Sequence, residues 1–124
     1  MNRTIVHFEI PANDPTKLSQ FYSKLFGWKF ERWGEADTPE YWMIQTKAKD
    51  EDPGVNGGLT KKADQNQRQV NYVLVESVDE FSNKIKDLGG RIIVPKTEVP
   101  GMGRFALALD PEGNNFGIFE ATQQ

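Results

Sequence analysis

The sequence contains no cysteine and a single histidine, His7. The absence of cysteine excludes a disulfide framework, a thiol nucleophile and a thiolate metal site. With one histidine, any metal site in one copy of the chain has at most one imidazole ligand. This scarcity limits the available chemistry more than any other feature of the composition.

A basic surface and long apolar runs are also missing. The formal net charge is −3, so we expect no nucleic-acid partner. No apolar run is long enough to span a bilayer, so we expect no membrane association. The N-terminus lacks the apolar core of a signal peptide, which favours a cytoplasmic location. Hydrophobic residues make up 37% of the 124 residues, a share typical of one globular domain with its own core.

The chain contains an internal repeat. Residues 7–30 align without gaps with residues 70–93, and the boundaries of the predicted elements agree better than the residue identities. Each segment begins with an apolar strand and continues with apolar residues at the three-and-four spacing of a helix. In the first segment the helix is predicted to start at a cap, Asn13 or Asp14, and to end at Gly27.

Three further strands follow the helix in each half. The second helix is predicted to begin at a capping box formed by Ser77 and Glu80. The predicted strands are 5–11, 28–33, 41–46, 55–59, 70–75, 91–94, 105–109 and 115–119. Loops are predicted at 34–40, 47–54, 61–68 and 97–104.

These patterns predict an α+β protein built from two βαβββ modules. Module 1 covers about residues 3–60, a polar linker about 61–68, and module 2 about 69–121, within one domain. Because each helix has one apolar stripe, it covers one sheet face. We therefore expect a cupped mixed sheet with the helices on its outer face. Strand alternation turns His7 and Glu9 away from the helix side.

The chain resembles the vicinal oxygen chelate superfamily, which includes the glyoxalases, bleomycin-resistance proteins and extradiol dioxygenases. The resemblance covers nearly the whole chain. The resemblance lies in three segments: VHFEIPANDPTKLSQFYSKLFGWKF, VNYVLVESVDEFSNKIKDLGGRI and FALALDPEGNNFGIFE. It implies a cup of paired modules, often in a dimer, with a small molecule inside. We accordingly expect a homodimer with a small-molecule ligand.

The resemblance also implies four metal-ligand positions, on the first and last strands of each module. His7, seven residues before Asp14, matches the first position. The strand at 55–59 offers neither Glu nor His, and the remaining two positions fall on Val70 and Gly117. We therefore expect no metal site and no cofactor. Glu120 is conspicuous on the same strand as Gly117, but alternation turns it to the helix side.

Several side chains are candidates to line the cup. Aromatic walls suit flat ligands, and the loop at 99–105 could form a lip. The predicted ligand-binding residues are Trp42, Val70, Tyr72, Met102, Arg104, Phe105, Gly117 and Phe119. For each aromatic side chain, core packing is the alternative interpretation.

Two kinds of function fit the sequence. The first is metal-free binding of a small, aromatic or cationic molecule in the cup, as in bleomycin-resistance-like proteins. The second is a lyase or dioxygenase-like enzyme. It would use either an altered divalent site of His7, Glu9 and a third group, or His7 as acid or base with Glu9 raising its basicity. Two alternatives involve no ligand. His7 would be a hydrogen-bonded structural histidine in the cavity wall, or the protein would be a structural or regulatory dimer with an unused cavity.

Overall fold

The computed structural model describes residues 3–34 and 40–122. The helices and strands in chain order are β1 (Ile5–Ala12), α1 (Pro15–Phe26), β2 (Lys29–Trp33), β3 (Tyr41–Gln45), β4 (Gly57–Lys61), β5 (Val70–Leu74), α2 (Val78–Asp87), β6 (Arg91–Val99), β7 (Gly103–Leu109) and β8 (Asn115–Ala121). The predicted α+β class and the two βαβββ modules are confirmed. No helix in these residues is long and apolar enough to cross a membrane.

The chain divides into two compact units. The first unit is His7–Gln69, and the second unit is Val70–Gln124 together with Met1–Val6. The start of the chain belongs to the second unit because the Thr4 carbonyl accepts a hydrogen bond from the Leu74 amide at 2.9 Å.

The strands of the first unit lie in the order β2-β3-β4-β1. β1 pairs with β4 in parallel, and the other pairs are antiparallel, so the sheet is mixed. α1 covers one face of these strands. The residues buried beneath it are Ala12, Ile44 and Leu59, with Phe8, Ile10, Leu18, Trp28, Phe30 and Trp42 packed around them.

The strands of the second unit repeat the same plan in the order β5-β8-β7-β6. β5 and β8 are parallel, and the remaining pairs are antiparallel. α2 covers one face. Its core consists of Val75, Val78, Ala106 and Ile118, with Val73, Phe81, Ile85 and Phe116 packed against it.

Both helices start, and α1 ends, as the local sequence predicts. The Asp14 carboxylate accepts from the Lys17 amide at 3.2 Å, and Pro15 follows as the first helical residue. The Ser77 hydroxyl accepts from the Glu80 amide at 3.1 Å. Gly27 ends α1 in the left-handed conformation, with φ of 76°, as predicted.

The region at 97–104 differs from its prediction as a loop. β6 continues to Val99 and pairs with β7 as a hairpin, in which Val99 lies opposite Gly103. The Met102 amide donates to the Val99 carbonyl at 3.0 Å, and Gly101 has φ of 78°. Two glycines therefore allow a tight turn where the sequence suggested a longer connection.

β4 begins at Gly57 rather than at residue 55. Most of the predicted loop at 34–40 lies outside the described residues.

Candidate functional site

His7 lies on the strand face opposite α1. Its neighbours in sequence, Phe8 and Ile10, pack into the core beneath that helix, so alternation turns His7 and Glu9 to the other face as predicted. Both side chains are half-buried. Burial lowers the pKa of His7, because removing the imidazole from water penalises its charged form. His7 is therefore neutral at pH 7.

Tyr41 is a polar partner of His7 in the first unit. Its hydroxyl lies 2.8 Å from His7 Nε2, and either group can be the donor, depending on the tautomer. The Tyr41 ring packs edge-on against Trp33, with the ring centroids 6.2 Å apart. Tyr41 was not among the predicted site residues. Tyr41 lies three residues before the core residue Ile44, so strand alternation places it on the opposite face from the core. This alternation is the local sequence feature that could have identified it.

Gly58 lies directly under the Tyr41 side chain. A Cβ added at Gly58 would overlap the Tyr41 hydroxyl. In the sheet, Gly58 is in register with Glu9 on β1 and with Met43 on β3. The tyrosine thus occupies the space that a side chain on β4 would otherwise fill.

Gly117 has the equivalent role in the second unit. It lies in register with Tyr72 on β5, and a Cβ added at Gly117 would overlap the Tyr72 ring. The sequence repeat aligns Tyr72 with Glu9, so Gly117 and Gly58 are equivalent positions. The buried Tyr72 ring fills the space above Gly117, so this glycine does not leave an open space.

The three predicted aromatic residues of the second unit lie on the face opposite α2. Tyr72 contacts Phe105 edge-on, with ring centroids 6.0 Å apart. Phe105 and Phe119 are in register on β7 and β8. Val70 is buried on β5, two residues before Tyr72, and so shares its face. These four side chains form a largely apolar surface.

Three predicted ligand-binding residues lie elsewhere. Trp42 packs against the core beneath α1, and its indole N–H donates to Glu40 at 3.0 Å. Met102 is 41% exposed at the tip of the β6–β7 turn. Arg104 donates to Glu98 at 3.0 Å and to Glu120 at 2.6 Å. Core packing explains the position of Trp42, and ion pairs explain the position of Arg104. Contact of either side chain with a ligand stays a prediction.

Glu120 lies on the helix side, as alternation predicted. Its Oε1 accepts from the Val78 amide at the start of α2, at 2.9 Å. Its Oε2 accepts from Arg104 Nη1. Glu120 thus stabilises the N-terminus of α2 and is turned away from the face that carries Gly117.

The four metal-ligand positions implied by the family do not fit a divalent ion. His7 supplies an imidazole, whereas Val70 and Gly117 supply no donor atom. The β4 position equivalent to Gly117 is Gly58, which is in register with Glu9 on β1 and lies under Tyr41. Within residues 3–34 and 40–122, no group of three or more histidine, aspartate or glutamate side chains could hold a metal ion.

Two βαβββ modules with the same strand order define a paired-module α+β protein. The family model described as Glyoxalase/Bleomycin resistance protein/Dioxygenase superfamily matches residues 4–118. The chain therefore belongs to this superfamily.

The chain is also similar to a curated protein of known sequence. The chain is 23% identical over 134 residues to "Putative glyoxylase CFP32" of Mycobacterium bovis, covering 93% of this chain and 44% of that protein. It thus spans less than half the length of this curated relative.

Among solved structures, hypothetical protein BH1468 of Bacillus halodurans has a TM-score of 0.73 at 12% identity, covering 100% of this chain and 98% of that one. A Streptomyces coelicolor methylmalonyl-CoA epimerase variant, solved with 2-nitronate-propionyl-CoA, has a TM-score of 0.72 at 14% identity, covering 98% and 100%. At these identities the likeness shows the fold.

Proposed function

We propose that this protein binds a small, partly aromatic molecule on the sheet faces opposite its helices, without a divalent metal. The observation that carries the proposal is the pair of tyrosines over Gly58 and Gly117. A catalytic divalent site needs about three protein ligands. The family positions of this chain offer one, and tyrosine side chains cover both of these glycines.

The side chains on these faces support an aromatic ligand. Phe105 and Phe119 present ring surfaces beside the buried Tyr72 in the second unit, and Trp33 and Tyr41 do so in the first. Aromatic side chains favour flat apolar groups through offset and edge-on contacts. The acidic chain, with a net charge of −3, also suits a cationic ligand.

We further propose that the protein works in the cytoplasm and that it forms a homodimer, as its family resemblance implies. Light scattering after gel filtration at several protein concentrations tests the dimer. A mass equal to one chain at all concentrations would contradict it.

Metal content tests the central part of the proposal. We expect the purified protein to carry no stoichiometric Zn²⁺, Ni²⁺, Mn²⁺ or Fe²⁺ by elemental analysis, and its melting temperature to be unchanged by added Zn²⁺ or Ni²⁺. His7→Ala is the matched variant, because His7 is the only family ligand present. A stoichiometric metal that is lost in His7→Ala would overturn the metal-free proposal.

A second candidate function is metal-free acid–base catalysis, and the hydrogen bond between His7 and Tyr41 favours it. A neutral imidazole that contacts a phenol can accept or donate a proton. The glyoxylase name of the mycobacterial relative makes 2-oxoaldehydes a reasonable first panel of substrates. Turnover that is lost in both His7→Ala and Tyr41→Phe would support the enzyme. Thermal stabilisation by aromatic compounds without turnover would support binding alone.

A further inference from the structure

Gly58 makes room for a side chain that comes from a neighbouring strand. Tyr41 is in register with Thr60, two residues along β4 from Gly58, so its side chain must lean along β4 to lie over the glycine. Any residue with a Cβ at position 58 would overlap the tyrosine hydroxyl. Glycine is therefore a requirement for this placement of Tyr41, and not only a weak strand former.

The Tyr41 ring is fixed from a second side. Trp33 lies in register with Tyr41 across β2 and β3, and the two rings meet edge-on. Gly58 below and Trp33 beside the ring thus determine where the hydroxyl lies. That hydroxyl lies 2.8 Å from His7 Nε2, which is within the usual range for a hydrogen bond.

We propose that Gly58, Tyr41 and His7 form a metal-free polar centre, in which Gly58 and Tyr41 are positioning residues for His7 and the centre recognises an uncharged hydrogen-bonding group of the ligand. The recognition part of this inference rests on the proposed ligand-binding function. We call the three residues the Tyr–His centre.

The chemistry of the Tyr–His centre selects the class of ligand group. A phenol and a neutral imidazole carry no charge, so the two groups do not offset the cost of removing an ionised ligand group from water. An uncharged carbonyl or hydroxyl loses less hydration and can still exchange a hydrogen bond with a phenol or an imidazole. A ketone, aldehyde or alcohol attached to an aromatic ring therefore fits better than a carboxylate.

Nuclear magnetic resonance of His7 tests the placement of Tyr41 without any ligand. Because His7 is the only histidine, its ring nitrogen signals need no assignment by mutation. We expect Tyr41→Phe and Gly58→Ala to shift the His7 Nε2 signal at fixed neutral pH, since each removes the same hydrogen bond. Combining the two substitutions should add little further shift. Tyr22→Phe on α1 is the matched control, and its His7 signals should equal those of the wild type.

An unchanged Nε2 signal in Tyr41→Phe would overturn the Tyr–His centre. If Gly58→Ala does not fold, Tyr41→Phe still decides this point, because it keeps the ring and removes only the hydroxyl. An Nε2 signal that shifts in Tyr41→Phe but stays at its wild-type value in folded Gly58→Ala would overturn the role of the glycine.

Binding of three matched probes tests recognition. We expect acetophenone to bind more tightly than ethylbenzene, which lacks the oxygen, and than benzoate, which is charged. Tyr41→Phe should weaken acetophenone binding about fivefold, the usual effect of losing one hydrogen bond, and leave ethylbenzene unaffected. Equal binding of all three probes would overturn recognition while leaving the proposed function intact. Failure of every aromatic probe to bind would contradict both.

Discussion

Single side chains explain why the residues at the ligand positions that the family implies do not fit a divalent metal. At position 117 a glycine stands where the resemblance implies a ligand, and the Tyr72 ring fills the volume above it. At position 58 the Tyr41 hydroxyl does the same. Each tyrosine comes from a strand next to its glycine. A glutamate at either position would require the tyrosine to move.

The pKa of His7 leads to a prediction at the residue scale. Burial lowers this pKa below the usual 6.5, so the folded state takes up its proton at a lower pH than the unfolded state. The contribution of His7 to stability is therefore fully present above pH 6.5, and it is lost as the pH falls through the folded pKa.

Denaturant titrations at several pH values check this prediction. We expect the free energy of unfolding of the wild type to fall as the pH is lowered from 6.5 through the folded pKa of His7, and that of His7→Gln to fall less. His7→Gln is a suitable comparison because glutamine keeps hydrogen-bonding atoms but does not titrate. Parallel curves for the two proteins across this interval would contradict the prediction.

At the scale of single elements, the two helices start in different ways. α1 is capped from within its own sequence by Asp14, whereas α2 also receives a carboxylate from β8. The Glu120 side chain is 20% exposed and also pairs with Arg104. The hydrogen bonds that Arg104 donates to the Glu98 and Glu120 carboxylates raise the pKa of Arg104 above its ordinary value. β8 and α2 are thus joined by one side chain.

Glu120 substitutions test this connection. Val78 is fully buried, so Glu120→Ala leaves its amide without this carboxylate partner, and we expect a loss of about 1–3 kcal/mol in the free energy of unfolding. Glu120→Gln keeps an acceptor for the amide and removes the charge, so it should cost less. Glu98→Gln is the control, because the Glu98 side chain is 63% exposed and pairs with Arg104 rather than with the start of α2. Equal stability of Glu120→Ala and the wild type would contradict the role of Glu120.

At the scale of the whole molecule, the start of the chain packs with its second half. Arg3 pairs with Glu76 at 2.9 Å, and its guanidinium lies 5.3 Å from the centroid of the Phe81 ring. The hydrogen bond from Arg3 lowers the pKa of Glu76. The second unit therefore includes residues from both ends of the sequence.

Arg3→Ala tests this arrangement. We expect a small decrease in melting temperature at low ionic strength, because the variant loses an exposed ion pair and a cation–π contact. The decrease should shrink at high salt, which screens the ion pair. Lys84→Ala is the comparison, since Lys84 also lies over Phe81 but forms its ion pair with Glu80 on its own helix. A decrease that is independent of salt would contradict a role for the charge.

The sequence by itself determined the order of the elements, the repeat of the βαβββ plan and the face on which His7 and Glu9 lie. These features depend on local periods of two and 3.6 residues and on capping residues close in sequence. The sequence also determined that Val70 and Gly117 lack a donor for a metal. It left the turn at 100–102 unrecognised, because two glycines are compatible with a loop or a tight hairpin.

Only the tertiary structure decided what fills the space above Gly58 and Gly117, and where Arg104 and Trp42 point. Tyr41 reaches Gly58 and His7 across strands that are distant in sequence, and Arg104 is directed by Glu98 and Glu120. The reason is physical: alternation fixes the face of a side chain, but strand register and the reach of a long side chain fix its partner.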